Sequence, residues 1–354
     1  MLPRSIMTLL LWMSVSNGLS AQTLKARTSA AEDSIINVGI TLYDKGEYDQ
    51  AISCYRTVLK ANPANVTAYA ELAMTYMAKQ QYSDAIQTAL QGLKYESNNQ
   101  AVLYSNLGNA YDMDGSREKA IMAYMAGLAI RASDPMLHFN LGLTYHRGEQ
   151  LDSARFHYQA ALRSKPSHAA SNLALSQIYQ AMNKRIPAIF ALSRFLILEP
   201  TSRRSMDAAI RLQRLLADSL SITSAGVGEM TIHVTPDSDD VDGDMSSLAL
   251  SLAMAQAANK VGDSSFASPL YKMASELSTL FQISSELLEN EHFYGFCWSY
   301  YVPYFSEMQN HGFTNVAVRH MFPSTDKQEV LEYVRLHQQE ATDFKSWNSQ
   351  YSWK

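Results

Sequence analysis

The chain of 354 residues is long for one compact core, so an elongated array or two domains is the first expectation. Hydrophobic residues make up 47% of the chain and charged residues 18%, an ordinary balance for a folded protein. The net charge is -5 and no basic stripe is present, which argues against nucleic acid as the main partner.

The first 21 residues have the pattern of a secretory signal peptide. Arg4 precedes an apolar run from Ile6 to Val15, and small and polar residues follow as far as Ala21. We expect cleavage after Ala21, which gives a mature chain that begins at Gln22 and is periplasmic or secreted. The apolar run is short for a membrane span and no second one follows, so we expect no integral membrane segment in the mature chain. An uncleaved anchor helix is the alternative.

Residues 101–128 carry small and large side chains at the spacing of two short antiparallel helices. Gly108 and Ala120 stand where the two helices would cross, because close approach requires small residues there. Large residues such as Tyr124 follow at helical spacing, and Gly115 stands at the turn between the helices. This spacing resembles the tetratricopeptide repeat, or TPR.

The same template fits five consecutive units. The resemblance implies an all-α fold, a TPR α-solenoid in which helix-turn-helix repeats form a right-handed superhelix, followed by a mostly helical C-terminal region. The fifth unit fits least well, as expected near an array end, and its Pro187 lies near a helix start, where a missing N–H costs little. After an N-terminal segment at 22–31, the units are 32–65, 66–99, 101–134, 135–168 and 169–202.

Beyond the repeats we predict a capping helix, a linker and a helical region. A helix at 203–220 would cover the last repeat, whose apolar face would otherwise meet water. The linker at 221–244 holds a possible short strand at Met230 to Thr235 and an acidic loop at Asp237 to Asp244. The loop departs from the calcium-loop pattern at both ends, so we interpret it as a solvated loop before a helix. Within the C-terminal region at 245–354, helices are predicted at 245–260, 266–289, 292–309 and 326–345.

The segment from His292 to Phe305 is strongly aromatic, since eight of its fourteen residues are Phe, Tyr or Trp. We interpret it as a helix wedged between the array and the last helices. The alternative is a stacking platform for a carbohydrate or peptide, which requires an open pocket lined by Trp298, Tyr300 and Tyr301.

The part of the chain from Met230 to Gln350 also resembles the C-terminal region of some exported bacterial TPR proteins of unknown function. The resemblance is carried by Tyr300 to Phe305 and by the turn at His311 to Phe313. It implies no known activity.

The sequence contains no recognisable catalytic or metal-binding motif. HExxH, CxxC, GxSxG, GxxxxGK[ST] and GxGxxG are all absent, and no two histidines are four residues apart. We therefore expect neither a metal nor a cofactor, and we do not expect an enzyme. Cys54 and Cys297 are too few for a disulfide framework and are expected to be buried thiols.

In TPR proteins, positions 2, 5, 9, 12 and 13 of each unit line a concave surface that binds a protein or peptide. Chaperone-binding members hold a terminal carboxylate there with Lys, Asn and Arg, and the lysines are missing here. The surface is instead apolar and rich in Met, which suits a helix or an extended apolar peptide. Its predicted partner-binding residues are Ile36, Ile40, Tyr43, Met74, Met77, Asn109, Asp112, Met113, Met136, Phe139, Leu143, His146, Arg147 and Gln177.

These patterns predict an exported scaffold that mediates protein–protein interaction through this groove. The alternative is a ligand-binding or enzymatic module in the aromatic C-terminal region, with the repeats as a docking handle. Filling of the groove by the protein's own C-terminal helices weighs equally with binding of a partner. The expected partner is a protein or peptide rather than nucleic acid.

Overall fold

A computed structural model describes residues 29–217, 221–224, 230–233, 243–261, 268–290, 294–322 and 327–353. The predicted signal peptide and most of the acidic loop lie outside these residues. The elements are almost all α-helices, so the all-α prediction is confirmed. By its internal contacts the chain divides into two compact units, Met1–Ala132 (unit 1) and Ser133–Lys354 (unit 2).

The described part of unit 1 consists of three helical hairpins, which correspond to the first three predicted repeats. The turns of the first and third hairpins use Gly46 and Gly115, whose positive φ angles of 79° and 82° favour glycine. Side-chain oxygens of Ser29 and Asn65 cap the first helix of the first two hairpins. The hairpins are α1 (Ala30–Asp44) with α2 (Tyr48–Ala61), α3 (Val66–Ala78) with α4 (Tyr82–Gly92), and α5 (Gln100–Met113) with α6 (Arg117–Ile130).

The small residues predicted at the helix crossings lie in the core of their hairpins. Ala120 is fully buried, and a Cβ atom on Gly108 would overlap the ring of Tyr124. In the first hairpin a Cβ atom on Gly39 would lie 2.5 Å from the Tyr55 ring. A glycine on the first helix therefore makes room for a buried tyrosine of the second.

Val38 on α1 is 52% exposed. Helix α1 is the first one described, and no described helix precedes it to cover this side chain.

Unit 2 begins with two hairpins at the fourth and fifth predicted repeats. Pro135 opens the first of these helices, and the Asp134 carboxylate caps it by accepting from two backbone N–H groups. A Cβ atom on Gly142 would lie 2.7 Å from the Tyr158 ring, which repeats the crossing seen in unit 1. The hairpins are α7 (Pro135–Arg147) with α8 (Leu151–Ser164), and α9 (Ala169–Ala181) with α10 (Arg185–Leu198).

The remaining elements described in unit 2 are helices and one small hairpin of strands. Strands β1 (Ser221–Ser224) and β2 (Met230–His233) pair antiparallel, with Ser221 opposite His233. The predicted strand is thus confirmed as far as His233, and Thr235 lies outside the described residues. The helices are α11 (Arg203–Ala217), α12 (Ser246–Val261), α13 (Pro269–Asn290), a π-helix (Cys297–Tyr301), α14 (Val302–Asn310), α15 (Thr314–Met321), α16 (Lys327–Leu336) and α17 (Gln338–Gln350).

Three details of the predicted C-terminal helices are wrong. The predicted helix at 292–309 contains the π-helix before α14, and the one predicted at 326–345 is two helices, interrupted at His337. Helix α15 was not predicted, because eight residues are too few to show a helical period clearly. The predicted capping helix is confirmed as far as Ala217 and contacts α10.

The centre of unit 2 is α10, in which every residue from Ile186 to Ile197 is buried. Helices α9, α11 and α15 and the π-helix all contact it. A helix that is buried on all sides must be covered on all sides, which a single capping helix cannot do. The fourth and fifth repeats therefore share one hydrophobic core with the C-terminal helices instead of forming a separate array.

Candidate functional site

In unit 1 the first helices of the three hairpins, α1, α3 and α5, lie side by side. The Asn106 side-chain amide on α5 donates a hydrogen bond of 2.9 Å to the Ala70 carbonyl on α3. Between α1 and α3, the Asp44 carboxylate adds to the rise in the pKa of Glu71 that burial causes. The three helices thus form one surface, which carries the predicted groove residues of unit 1 (the unit 1 groove).

Most predicted residues of the unit 1 groove reach the surface, and one does not. Ile36 is only 3% exposed and belongs to the hydrophobic core with Ile52 and Tyr55, so its prediction as a groove residue is wrong. It packs inward because α1 must cover the second helix of its own hairpin. Met113 is 56% exposed. The half-buried residues are Ile40, Tyr43, Met74, Met77, Asn109 and Asp112.

Asn109 has a structural partner within its own repeat. The hydroxyl of the buried Tyr124 donates a hydrogen bond of 2.7 Å to Asn109 Oδ1. A buried phenol needs such an acceptor, so this contact orients the Asn109 amide at the surface.

In unit 2 the predicted groove residues divide by exposure. Met136, Arg147 and Gln177 are exposed, and Phe139, Leu143 and His146 are half-buried. The Phe139 ring packs edge-on against the His168 ring, with centroids 4.9 Å apart. It is tilted against the Tyr158 ring, with centroids 5.8 Å apart. This ring is therefore held in place, with part of its surface accessible.

The described C-terminal helices meet the repeats of unit 2 away from these exposed positions. The Tyr301 hydroxyl donates to Asn172 Oδ1 at 2.7 Å, and the Tyr300 hydroxyl donates to the Leu162 carbonyl at 3.3 Å. A ring nitrogen of His320 lies 3.2 Å from the Ile197 carbonyl. These contacts fall on α8, α9 and α10. Since Met136, Arg147 and Gln177 stay exposed, the C-terminal helices, as far as the structure describes them, leave that part of the predicted groove uncovered.

The three rings of the aromatic segment that would line the alternative ligand pocket are buried. Trp298, Tyr300 and Tyr301 are 1%, 6% and 0% exposed. The Trp298 indole N–H donates to the Asp244 carbonyl at 3.0 Å, and burial raises the pKa of Tyr300. The alternative function required an open pocket lined by these three rings, so that hypothesis is contradicted.

A histidine pair between α7 and α8 was missed by the sequence analysis. The Nδ1 atoms of His138 and His157 are 3.0 Å apart, and the His157 ring stacks on Tyr145 with centroids 5.5 Å apart. Burial and the neighbouring His138 lower the pKa of His157 to about 4. The two histidines are 19 residues apart in sequence and meet only because the hairpin folds back, so a search for helical spacing could not find them.

Among the described residues, no group of three or more His, Cys, Asp or Glu side chains is placed to hold a metal ion. Cys297 is a buried thiol as predicted, whereas the prediction for Cys54 is wrong, because Cys54 is only half-buried. In this part of the chain, no helix combines the length and apolarity that a membrane crossing requires.

Two sequence profiles of the tetratricopeptide repeat match the chain, one at residues 42–107 and one at residues 137–168. The chain contains tetratricopeptide repeats. The first match lies within the hairpins of unit 1 and the second covers the α7–α8 hairpin of unit 2. Tetratricopeptide repeats in other proteins bind protein partners.

Two curated proteins resemble the chain over part of their length. The general transcriptional corepressor trfA of Dictyostelium discoideum is 32% identical over 120 residues, which cover 33% of this chain and 9% of that protein. The probable UDP-N-acetylglucosamine–peptide N-acetylglucosaminyltransferase SPINDLY of Hordeum vulgare is 26% identical over 151 residues, which cover 41% of this chain and 16% of that protein. The chain thus spans less than a fifth of either relative.

Solved structures of TPR-type proteins also resemble about half of the chain. MamA is 28% identical with a TM-score of 0.41, and the match covers 46% of this chain and 94% of MamA. PilF of Pseudomonas aeruginosa is 21% identical with a TM-score of 0.48, and the match covers 53% of this chain and 85% of PilF.

Proposed function

We propose that the protein is a scaffold that binds a protein or peptide on the concave face of its TPR repeats. The observation that carries the proposal is the row of half-buried apolar side chains on neighbouring first helices, Ile40 and Tyr43 on α1 and Met74 and Met77 on α3. Methionine side chains adapt to different partners, which suits a binding surface. The scaffold has no catalytic role of its own.

We propose further that this scaffold is exported. The secretory pattern of residues 1–21 supports export, with Gln22 as the first residue of the mature chain. Mass spectrometry of the protein recovered from the compartment outside the inner membrane tests this directly. A mature mass that begins at Gln22 is expected, and an intact Met1 in a protein retained inside the cell would contradict export.

The binding proposal is tested by paired Met→Asp variants of the full chain. Met74→Asp places a charge in the unit 1 groove and should abolish capture of the partner, while the far-UV circular dichroism stays unchanged. Met122 lies on a second helix, α6, and is 51% exposed, so Met122→Asp is the matched control and should leave capture intact. Capture is measured by pull-down with identification of the bound proteins by mass spectrometry. Equal capture by both variants and the wild type would refute the groove as the binding site.

A further inference from the structure

The first helices of unit 1 carry acidic residues and no Lys or Arg. Every Lys and Arg within the six helices of this unit lies on a second helix, at Arg56, Lys60, Arg117 and Lys119. Charge of one sign is therefore concentrated on the helices that form the groove. The acidic residues of α1, α3 and α5 are Glu32, Asp33, Asp44, Glu71 and Asp112.

One of these carboxylates has a structural role. Glu32 accepts hydrogen bonds from the side-chain amides of Asn62 at 2.9 Å and Asn65 at 2.8 Å, which hold the turn between the first two hairpins. These contacts lower the pKa of Glu32. Glu32 thus has partners within the fold, and the proposal below does not use it.

Asp44 is exposed at the end of α1, and Glu71 is half-buried on the neighbouring helix α3. Burial raises the pKa of Glu71, and the Asp44 carboxylate raises it further. Within the part of the chain that the structure describes, neither carboxylate forms an ion pair. Two cations of the same unit have other partners, since Lys79 pairs with Asp49 and Arg56 donates to the Tyr76 hydroxyl at 2.6 Å. The repulsion between Asp44 and Glu71 is therefore left for a partner to relieve.

The apolar side chains of the unit 1 groove lie on the same two helices as these carboxylates. Asp44 directly follows Tyr43 on α1, and Glu71 precedes Met74 by three residues on α3, so each carboxylate neighbours an apolar groove residue. A ligand that covers the apolar side chains with its own must therefore place a cation beside them.

From this combination we propose that the unit 1 groove binds a basic peptide segment in which Lys or Arg alternates with large apolar side chains. Its cations approach Asp44 and Glu71, and its apolar side chains cover Ile40, Met74 and Met77. The proposal rests on the proposed function and specifies the chemistry of the partner. The net charge of -5 adds a long-range attraction for such a segment.

Binding of two matched peptides to the mature chain tests the proposal. The probe is a fluorescein-labelled amphipathic peptide of about 15 residues built from Leu and Lys, and its twin has Glu in place of every Lys. Anisotropy titrations should show the Lys peptide binding at least about tenfold more tightly than the twin, a ratio equal to about 1.4 kcal/mol. The advantage should shrink as salt is raised.

Neutralising variants assign the preference to the two carboxylates. Asp44→Asn and Glu71→Gln should each weaken binding of the Lys peptide several-fold and reduce its dependence on salt. Asp84 is an exposed acid on the second helix α4, so Asp84→Asn is the matched control and should bind like the wild type. Wild-type binding by both Asp44→Asn and Glu71→Gln would overturn the charge assignment.

The outcomes separate this inference from the proposed function. If the two neutralising variants still bind the Lys peptide normally but Met74→Asp loses the cellular partner, the groove is a binding site and its preference for basic segments is wrong. If Met74→Asp also captures the cellular partner and binds the Lys peptide like the wild type, the proposed function fails as well.

A second copy of the chain is another possible occupant. Helix α11 exposes Arg203, Met206, Ile210 and Arg214, which have the proposed chemistry. Light scattering tests this occupant, because a mass that rises with protein concentration indicates self-association. If Asp44→Asn abolishes that rise, the groove binds a second copy, and the assignment to a separate peptide is overturned.

Discussion

Gly108 shows how a single missing side chain sets the distance between two helices. A Cβ atom at this position would overlap the ring of Tyr124, whose side chain is 1% exposed. The Tyr124 hydroxyl in turn reaches Asn109 on the same helix as Gly108. One residue therefore controls both the packing of α5 on α6 and the position of an amide at the groove.

Gly108→Leu should destabilise unit 1 by several kcal/mol, because the added side chain forces the two helices apart. A thermal melt of the full chain followed by far-UV circular dichroism measures the loss. The control is Gly115→Asn, since Gly115 has a φ of 82° with nothing within 4 Å of an added Cβ atom. Asn tolerates this backbone conformation, so its cost should stay near 1 kcal/mol or below. A wild-type melt for Gly108→Leu would show that the repeat register is wrong.

At the scale of the element, α10 explains why the fifth repeat departs from the template. Its residues face the hairpin of α9 on one side and the C-terminal helices on the others. The Phe190 ring stacks on the rings of Phe281 and Tyr301, with centroid distances of 5.9 Å and 6.4 Å. These contacts join α10 to α13 and to the π-helix. The degeneracy of this repeat is therefore an adaptation to burial on all sides.

Helix α17 is attached to α10 through a buried arginine. The Arg194 guanidinium lies over the rings of Tyr304 at 4.4 Å and Trp353 at 4.9 Å, and it donates to Asn348 Oδ1 at 2.6 Å. Arg194 is only 2% exposed. Because a buried guanidinium is stabilised by hydrogen-bond acceptors and by aromatic faces, these contacts hold α14, α17 and the following residues against the fifth repeat.

Two Phe→Ala variants compare a residue of α10 with a surface residue of α8. Phe195 is fully buried in α10, so Phe195→Ala should lower the free energy of unfolding by about 3–5 kcal/mol. Phe156 is 58% exposed, and Phe156→Ala should change the free energy of unfolding by about 0.5 kcal/mol or less. Urea unfolding followed by tryptophan fluorescence reports the difference, because Trp298, Trp347 and Trp353 all belong to unit 2. Similar losses in the two variants would contradict the central position of α10.

At the scale of the whole molecule, the two units differ in the groups that titrate near neutral pH. Burial lowers the pKa of four histidines of unit 2, His146, His157, His168 and His320. The sequence from Ser29 to Ala132 in unit 1 contains no histidine. Acidification in the range where histidine titrates should therefore act on unit 2.

The direction of the effect follows from the lowered pKa values. An unfolded histidine has a pKa near 6.5, so between that pH and about 4 the unfolded chain binds protons that folded His157 does not. The stability of unit 2 should be complete above about pH 7 and should fall as the pH decreases through this window. We expect the urea midpoint from tryptophan fluorescence to be lower at pH 5.5 than at pH 7.5.

The variant His157→Phe assigns part of this loss to one ring. Phenylalanine keeps an aromatic ring against Tyr145 but takes up no proton, so the difference between the two midpoints should be smaller than in the wild type. Equal midpoints for the wild type at pH 5.5 and 7.5 would contradict the burial of neutral histidines.

The sequence by itself determined the repeats, their register and the turns of unit 1. The features responsible are local: Gly108 and Tyr124 meet within one hairpin, and Gly115 turns the chain between its two helices. Contacts within one repeat leave a periodic pattern in the sequence, because every repeat packs its two helices with the same kinds of residue at the same positions. The same pattern assigned the groove positions from their place in the unit, and all of these residues except Ile36 reach the surface.

Only the tertiary structure decided what the rest of the chain does with its apolar residues. The segment with Trp298, Tyr300 and Tyr301 has the composition of a ligand platform as much as of a core, and the contact of Tyr301 with Asn172 closes it across 129 positions of sequence. The inward direction of Ile36 and the meeting of His138 with His157 are likewise set by what packs on each helix. Composition and period indicate which side chains can be buried. Which other side chains they contact depends on long-range packing, and no local sequence pattern shows those contacts.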